Sequence, residues 1–356
     1  MIKLRPLQRV QARIGPVLGW LPERLQRRLA GPPVVVDGAT LAPDMQMLLK
    51  ALIARGGIMD ESPGKLRKRQ AIGAIVAAGA PVAVAATRDL EVDGLRARHY
   101  ANAPGAPLVV FLHGGGFVFG DLETHDRLCR MLCKHAGVHV LAIEYRLAPE
   151  FPFPAGVEDA DRAWRWARVH ASELGADPER IAIAGDSAGG NLAAGVAQTF
   201  ASTSDAPVGQ LLIYPAVDYE GAYPSKELFA EGFFLTRAAS AWFREQYVET
   251  AGVHDPSDVR LRPSAATALA NQPPAIVVTA GFDPLRDEGE AYAAALARHG
   301  SSVVVRRFAG LIHGFANMTG ISRSANEAVV EIAGMLRMLV ANRPAVAAPA
   351  LQLLTS

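Results

Sequence analysis

Three short stretches of this 356-residue chain carry residues whose types and spacing could do chemistry. The first is Gly185-Asp186-Ser187-Ala188-Gly189. An apolar run, RIAIAG, reads as a strand before it, and an alanine-rich run reads as a helix after it. A strand, a sharp turn and a helix hold a serine at the tip of a strained elbow. The glycines follow from the turn, which brings strand and helix backbones too close for a Cβ. The helix N-terminus behind Ser187 favours negative charge there. A serine hydroxyl alone is a poor nucleophile, so it needs a base, and the base needs an orienting carboxylate.

The histidines after Ser187 are His254, His299 and His313. His299 closes a predicted helix and reads as a C-terminal cap, and His254 reads as loop. His313, in AGLIHGF, follows the last predicted strand of the regular α/β pattern, where catalytic groups gather in open parallel sheets. It is therefore the expected base. Asp283 opens the loop after the strand AIVVTAG and is the favoured acid, while Asp218, after LLIYP, is the second choice. Asp283 also suits a helix N-cap before Pro284, and the two roles are compatible.

The third stretch is LVVFLHGGGFVFG, residues 108–120. Glycines cost chain entropy and contribute no packing, so three in a row need a reason. A tetrahedral oxyanion is best stabilised by prealigned backbone N–H groups. Ala188 follows the nucleophile, and the loop His113-Gly114-Gly115-Gly116 is in position to supply the rest, with Gly114 and Gly115 as the expected donors. Side chains there would occupy the space a substrate carbonyl needs. Phe117, Phe119, Phe233 and Phe234 are candidates for an acyl pocket, with core packing as the equal alternative.

These groups need a scaffold. Apolar strands alternate with helical stretches from about residue 79 onward: PVAVAATRDL, LRARHYA, LVVFL, VHVLAIEYR, RIAIAG, GQLLIYP, AIVVTAG and SSVVVRRFAG. Predicted helices fall near 127–135, 157–170, 188–200, after Thr236, 283–300 and 325–339. The pattern predicts an α/β fold with a mostly parallel sheet and helices on both faces. Residues 1–78 read as helical pieces broken at Gly-Pro-Pro 31–33 and Ser-Pro-Gly 62–64, residues 79–342 as the catalytic domain, and 343–356 as a loosely held tail.

Composition excludes several classes. The formal charge of +1 gives no general pull toward nucleic acid. The N-terminus lacks the apolar core of a signal peptide, and no apolar run is long enough to span a bilayer. Its basic, leucine-spaced pattern suits packing on the protein itself, with a membrane surface as the lesser alternative. Two cysteines, Cys129 and Cys133, fit a reducing, cytoplasmic setting. With His125 they form a straight helical row, which cannot wrap a tetrahedral metal ion, so packing is the preferred reading. A homodimer is the one protein partner left open.

In order, HGGG, YRLAPEFPFPAGVED, GDSAGG, DPLRDEG and IHGF, spanning about Leu108 to Phe315, resemble the bacterial hormone-sensitive-lipase-like esterases, which are α/β-hydrolases. The GDSAG form of the elbow points to one main branch of that family. The resemblance implies Ser187 as nucleophile, Asp283 as acid, His313 as base, and Gly114, Gly115 and Ala188 as oxyanion donors. It also implies a helical cap over the site, built from the N-terminal helices and part of 216–272, and no cofactor or metal. Tyr145, Arg146, Pro149, Glu150 and Asp159 read as a loop bracing the glycines. The expected function is hydrolysis of short- to medium-chain acyl esters through an acyl-enzyme. Amide or carbamate hydrolysis and acyl transfer would use the same triad. A ligand receptor on a dead hydrolase scaffold is disfavoured by His313, and a dehalogenase or epoxide hydrolase by a serine at the elbow.

Overall fold

The computed structural model describes residues 17–53, 62–77, 79, 81–252, 258–267, 269–341 and 351–355. Nine strands form one sheet: β3 (Ala86–Val92), β4 (Leu95–Ala101), β5 (Pro107–Leu112), β6 (His139–Glu144), β7 (Asp177–Asp186), β8 (Gln210–Ile213), β9 (Ala275–Phe282), β10 (Val303–Ile312) and β11 (Leu351–Thr355). Their order is β11-β10-β9-β8-β7-β5-β6-β4-β3. The pairings from β6 to β11 are parallel, while β4 runs antiparallel to both β3 and β6. A separate hairpin pairs β1 (Val35–Val36) with β2 (Ala39–Thr40).

The unbroken apolar runs have a simple cause. In β5, Leu108, Val110 and Leu112 enter one core, and Val109 and Phe111 enter the other. Side chains alternate across a sheet covered on both faces, so every position must be apolar. Helices α5 (Ala155–His170), α6 (Ala188–Phe200) and α9 (Arg286–Arg298) contribute to the first core, and α4 (Asp126–Ala136) and α10 (Arg323–Ala341) to the second. Two further helices follow β8: α7 (Pro224–Leu228) and α8 (Arg237–Tyr247), the latter capped by Thr236 accepting the Ala239 N–H at 3.1 Å.

The structure departs from expectation at both ends. Residues 351–355 form a strand on the edge of β10, where a loose tail was expected. The edge of β10 offers unpaired backbone groups, and LQLLT supplies a short, largely apolar partner for them. At the other end stand α1 (Glu23–Ala30), α2 (Pro43–Ile53) and α3 (Pro63–Ala77), of which α2 packs on the sheet as well as on α1. Leu41, Met45 and Leu49 pack into the sheet core with Phe308 and Leu311. Among the described residues no helix is long and apolar enough to cross a membrane.

Asp44 fixes α2 to the body. Its buried carboxylate accepts from Ser322 Oγ at 2.7 Å, from the Ser324 N–H and hydroxyl at 2.9 Å each, and from the Met45 N–H at 2.9 Å. Asp44→Ala strands the buried Ser322 hydroxyl and the half-buried Ser324 donors and should cost about 1–3 kcal/mol of stability, read from urea unfolding followed by circular dichroism.

Candidate active site

The chemistry-bearing residues meet at the carboxyl ends of the central strands. Ser187 follows β7 directly and has φ +55° and ψ −117°, a conformation that L-residues adopt only under constraint. A Cβ on Gly185 would lie 2.2 Å from the Gly189 carbonyl oxygen, and one on Gly189 would lie 2.0 Å from the Leu112 oxygen. The two glycines thus permit the close approach of strand and helix that the elbow needs.

Ser187 Oγ lies 2.9 Å from His313 Nε2, in the loop after β10. His313 Nδ1 lies 2.8 Å from Asp283 Oδ2, just after β9. The other Asp283 oxygen accepts the Leu285 N–H at 2.8 Å, so this side chain also organises the start of the next helix. Asp218, the second choice, lies elsewhere in the network, engaged by Tyr223 Oη at 2.9 Å and Arg262 Nη2 at 2.9 Å. His299 Nδ1 sits 2.8 Å from the Ala295 oxygen, at the end of α9. His254 lies outside the described residues.

The glycine loop differs from expectation in one respect. The Gly114 N–H is already engaged: it donates to Asp186 Oδ1 at 2.8 Å. Among the described residues, the N–H groups of Gly115 and Gly116 have no protein acceptor. The Ala188 N–H begins α6 and has no intrahelical acceptor. The need for glycine also comes from the protein rather than from substrate. At Gly115, φ is +123° and a Cβ would lie 2.1 Å from the Phe119 oxygen; at Gly116, φ is +60° and a Cβ would enter the Phe243 ring at 2.4 Å.

The loop is braced much as the sequence suggested. Tyr145 Oη donates to the His113 oxygen at 2.7 Å, and its ring stacks on His113 at 4.3 Å. The Ala148 N–H donates to the Phe117 oxygen at 2.9 Å. Arg146 grips the buried Asp159 through Nε and Nη2. Arg67 of α3 donates to the Val118 and Ala148 oxygens at 2.7 Å each and pairs with Glu150 at 2.6 Å.

A cavity of about 840 Å³ opens over Ser187 and His313. Its walls include Leu48 and Leu52 of α2, Ile72 and Val76 of α3, and Phe243 and Tyr247 of α8. Phe117, Phe119 and Phe234 also line it. Phe233 instead packs on Phe229 and Phe282 in the core.

A family model described as the alpha/beta hydrolase fold matches residues 109–317. The carboxylic ester hydrolase LipN of Mycobacterium tuberculosis is 42% identical over 90% of this chain and 89% of its own length. An ethyl acetate hydrolase of Pseudomonas putida is 39% identical over 64% of this chain and 72% of its own. Among solved structures, an ester hydrolase from the metagenome of Lake Arreo superposes with a TM-score of 0.80 at 38% identity, covering 85% of this chain and 100% of that one. The chain belongs to the α/β-hydrolase family. It is a carboxylic ester hydrolase of the hormone-sensitive-lipase-like branch.

The hydrolase carries a group at its centre that sequence reasoning passed over. Asp186, next to the elbow serine, is buried. Besides Gly114 it accepts from Asn317 Nδ2 at 3.1 Å and Tyr214 Oη at 3.3 Å, and His125 Nε2 stands 3.3 Å away. Burial alone would raise its pKa, but His125 and the Gly114 N–H outweigh burial and hold it below the ordinary value. An acid closing an apolar strand was the available signal, since a buried charge requires partners. His125, read only as part of a helix row with the cysteines, belongs to this cluster too. Its companion His113 is pushed down to about 4, first by burial and then by His125.

Two outcomes follow for the enzyme. Asp186→Ala should release the glycine loop from the elbow and lower kcat by about 10²-fold with KM little changed, measured on a soluble p-nitrophenyl ester. The second concerns acid. The unfolded chain protonates His113 near its ordinary 6.5, whereas the folded protein does so only near 4. Stability should therefore fall as pH drops through that window, by roughly 3 kcal/mol from this residue. Urea unfolding at stepped pH reads the slope, which His113→Gln should flatten.

Proposed function

We propose that the enzyme is a serine carboxylesterase for neutral, short- to medium-chain acyl esters. The observation that carries the reading is the continuous chain Ser187 Oγ, His313 Nε2, His313 Nδ1, Asp283 Oδ2, with links of 2.9 and 2.8 Å, beside the cavity. In the proposed reaction Ser187 Oγ attacks the ester carbonyl and its proton passes to His313 Nε2. Asp283 holds the imidazole in the tautomer that can accept it and stabilises the imidazolium that forms. The developing oxyanion meets the N–H groups of Gly115, Gly116 and Ala188. Collapse of the tetrahedral species expels the alcohol, which takes the proton from His313. Water then repeats the sequence on the acyl-enzyme.

Substrate class rests on the walls. The cavity is mainly apolar and its size suits a small molecule. Lys226 pairs with Glu288 at 2.9 Å, and Arg237 with Glu227 at 2.5 Å. Each of these cations has an acidic partner in the wall, as Arg244 has Glu220 at 3.6 Å and Glu249 at 3.9 Å, which favours a neutral ester over an anionic one. Burial raises Glu288 to about 7, and its Oε1 accepts the Val217 and Asp218 N–H groups at 2.9 and 3.0 Å, so it serves the wall rather than the reaction. Helices α2, α3 and α8 form the proposed cap over the cavity of about 840 Å³, a size that suits a small ester. Butyrate and hexanoate esters should therefore be preferred to long-chain triglycerides.

The test is a panel of p-nitrophenyl esters of increasing acyl length, run beside an anilide. Ser187→Ala should abolish turnover and fluorophosphonate labelling, and Asp283→Asn should lower kcat by about 10⁴-fold. Gly115→Ala should cost on the order of 10²–10³-fold in kcat, with the fold checked by circular dichroism. Hydrolysis of the anilide at a rate matching the esters would overturn the ester assignment. Labelling of a serine other than Ser187 would overturn the nucleophile.

A further inference from the structure

Helix α1 buries its polar side. Gln26 and Ala30 face inward: Gln26 Nε2 donates to the Gly19 oxygen at 2.8 Å, and the Ala30 oxygen accepts from Gln46 Nε2 at 3.0 Å. Leu25 and Leu29, one helical turn apart, lie outside, 48% and 57% exposed. The preceding turn adds Val17 at 61% and Trp20 at 44%. A row of exposed arginines, Arg24 and Arg28, runs beside the leucine row. Arg323 holds the turn by donating to the Trp20 oxygen at 2.7 Å, with its guanidinium over the indole ring. Globular helices normally place their apolar stripe against the core. Here the stripe faces out, with cations alongside.

Charge indicates what should cover it. Residues 1–30 contain seven Lys and Arg and one acid, a net +6, so the rest of the chain is −5 against a total of +1. A second copy docked two-fold on this face would set arginines against arginines. The segment before Val17 brings Lys3, Arg5, Arg9 and Arg13, which are cations again. An anionic lipid surface satisfies both features: leucines and tryptophan enter the headgroup boundary, and arginines meet phosphate. The patch also adjoins the substrate cavity. Gly19 packs so tightly on Ile321 that a Cβ would lie 1.7 Å from the Ile321 oxygen, and Ile321 lines the cavity.

We propose that Val17, Trp20, Leu25 and Leu29, with Arg24 and Arg28, form a docking surface for anionic lipid bilayers beside the cavity. Docking of this kind needs no spanning helix and no acylation chemistry, so it stands or falls apart from the esterase reading.

The experiment is co-sedimentation of the full chain with vesicles of equal parts phosphatidylglycerol and phosphatidylcholine, against phosphatidylcholine alone. Binding should require phosphatidylglycerol and weaken with salt. Leu25→Ser with Leu29→Ser, and separately Arg24→Gln with Arg28→Gln, should each lower the partition coefficient by about tenfold or more. Both variants should hydrolyse p-nitrophenyl butyrate in solution at the parent rate, which also verifies folding. The proposal is overturned by equal binding to neutral vesicles, or by variants that bind as the parent does. It is overturned equally by a dimer, seen in light scattering, that the leucine variant dissolves, or by vesicle binding that appears only when residues 1–16 are removed.

Discussion

One buried carboxylate holds the site in register. Asp186 sits beside Ser187, the proposed nucleophile, and it contacts three other segments of the site. Through Gly114 it fixes the glycine loop, through Asn317 the loop that carries His313, and through Tyr214 the end of β8. Three neutral donors on a single buried carboxylate tie these segments together, and removing any of them would leave a buried carboxylate without one of its hydrogen bonds. The direction of its pKa agrees: the surroundings stabilise the anion strongly enough to overcome burial.

Around that tie the glycines act by allowing contact. Gly185 and Gly189 let β7 and α6 approach β5, and Gly115 and Gly116 let the loop fold back on Phe119 and under Phe243. Among the described residues, the N–H groups of Gly115, Gly116 and Ala188 have no protein acceptor. Such donors cost little to hold in place, since the backbone around them is already fully constrained. The same crowding connects the cavity roof to its floor, because Phe243 belongs to α8 and rests on Gly116.

The sheet, its two covered faces and most helices were legible in the sequence because their signals are local. Helix α6 runs Ala188–Phe200 as read, and Ser187, Asp283 and His313 were legible as polar residues closing apolar strands. What was not legible depended on distant partners. From the sequence Gly114 reads as an oxyanion donor, since its partner 72 positions away, Asp186, cannot be inferred from spacing. Gly116 was passed over for the same reason, and Phe233 could not be told from Phe234 without knowing which side of the chain faced Phe282. Strand β11 reads as a tail in the sequence because its five residues alone give no sign that an open sheet edge awaits them.

The separation of the reacting groups along the chain has a consequence for biosynthesis. Ser187 and His313 are 126 positions apart, and α10, which packs behind the histidine loop in the second core, comes later still. A ribosome therefore makes the elbow, the glycine loop and the Gly114–Asp186 pair before it delivers the proposed base and Asn317. A chain that ends before His313 has a serine without its proposed base, and its cavity lacks the wall at Asn317, Met318 and Ile321. Translation order thus delivers the proposed base after strands β3 to β10 have been made.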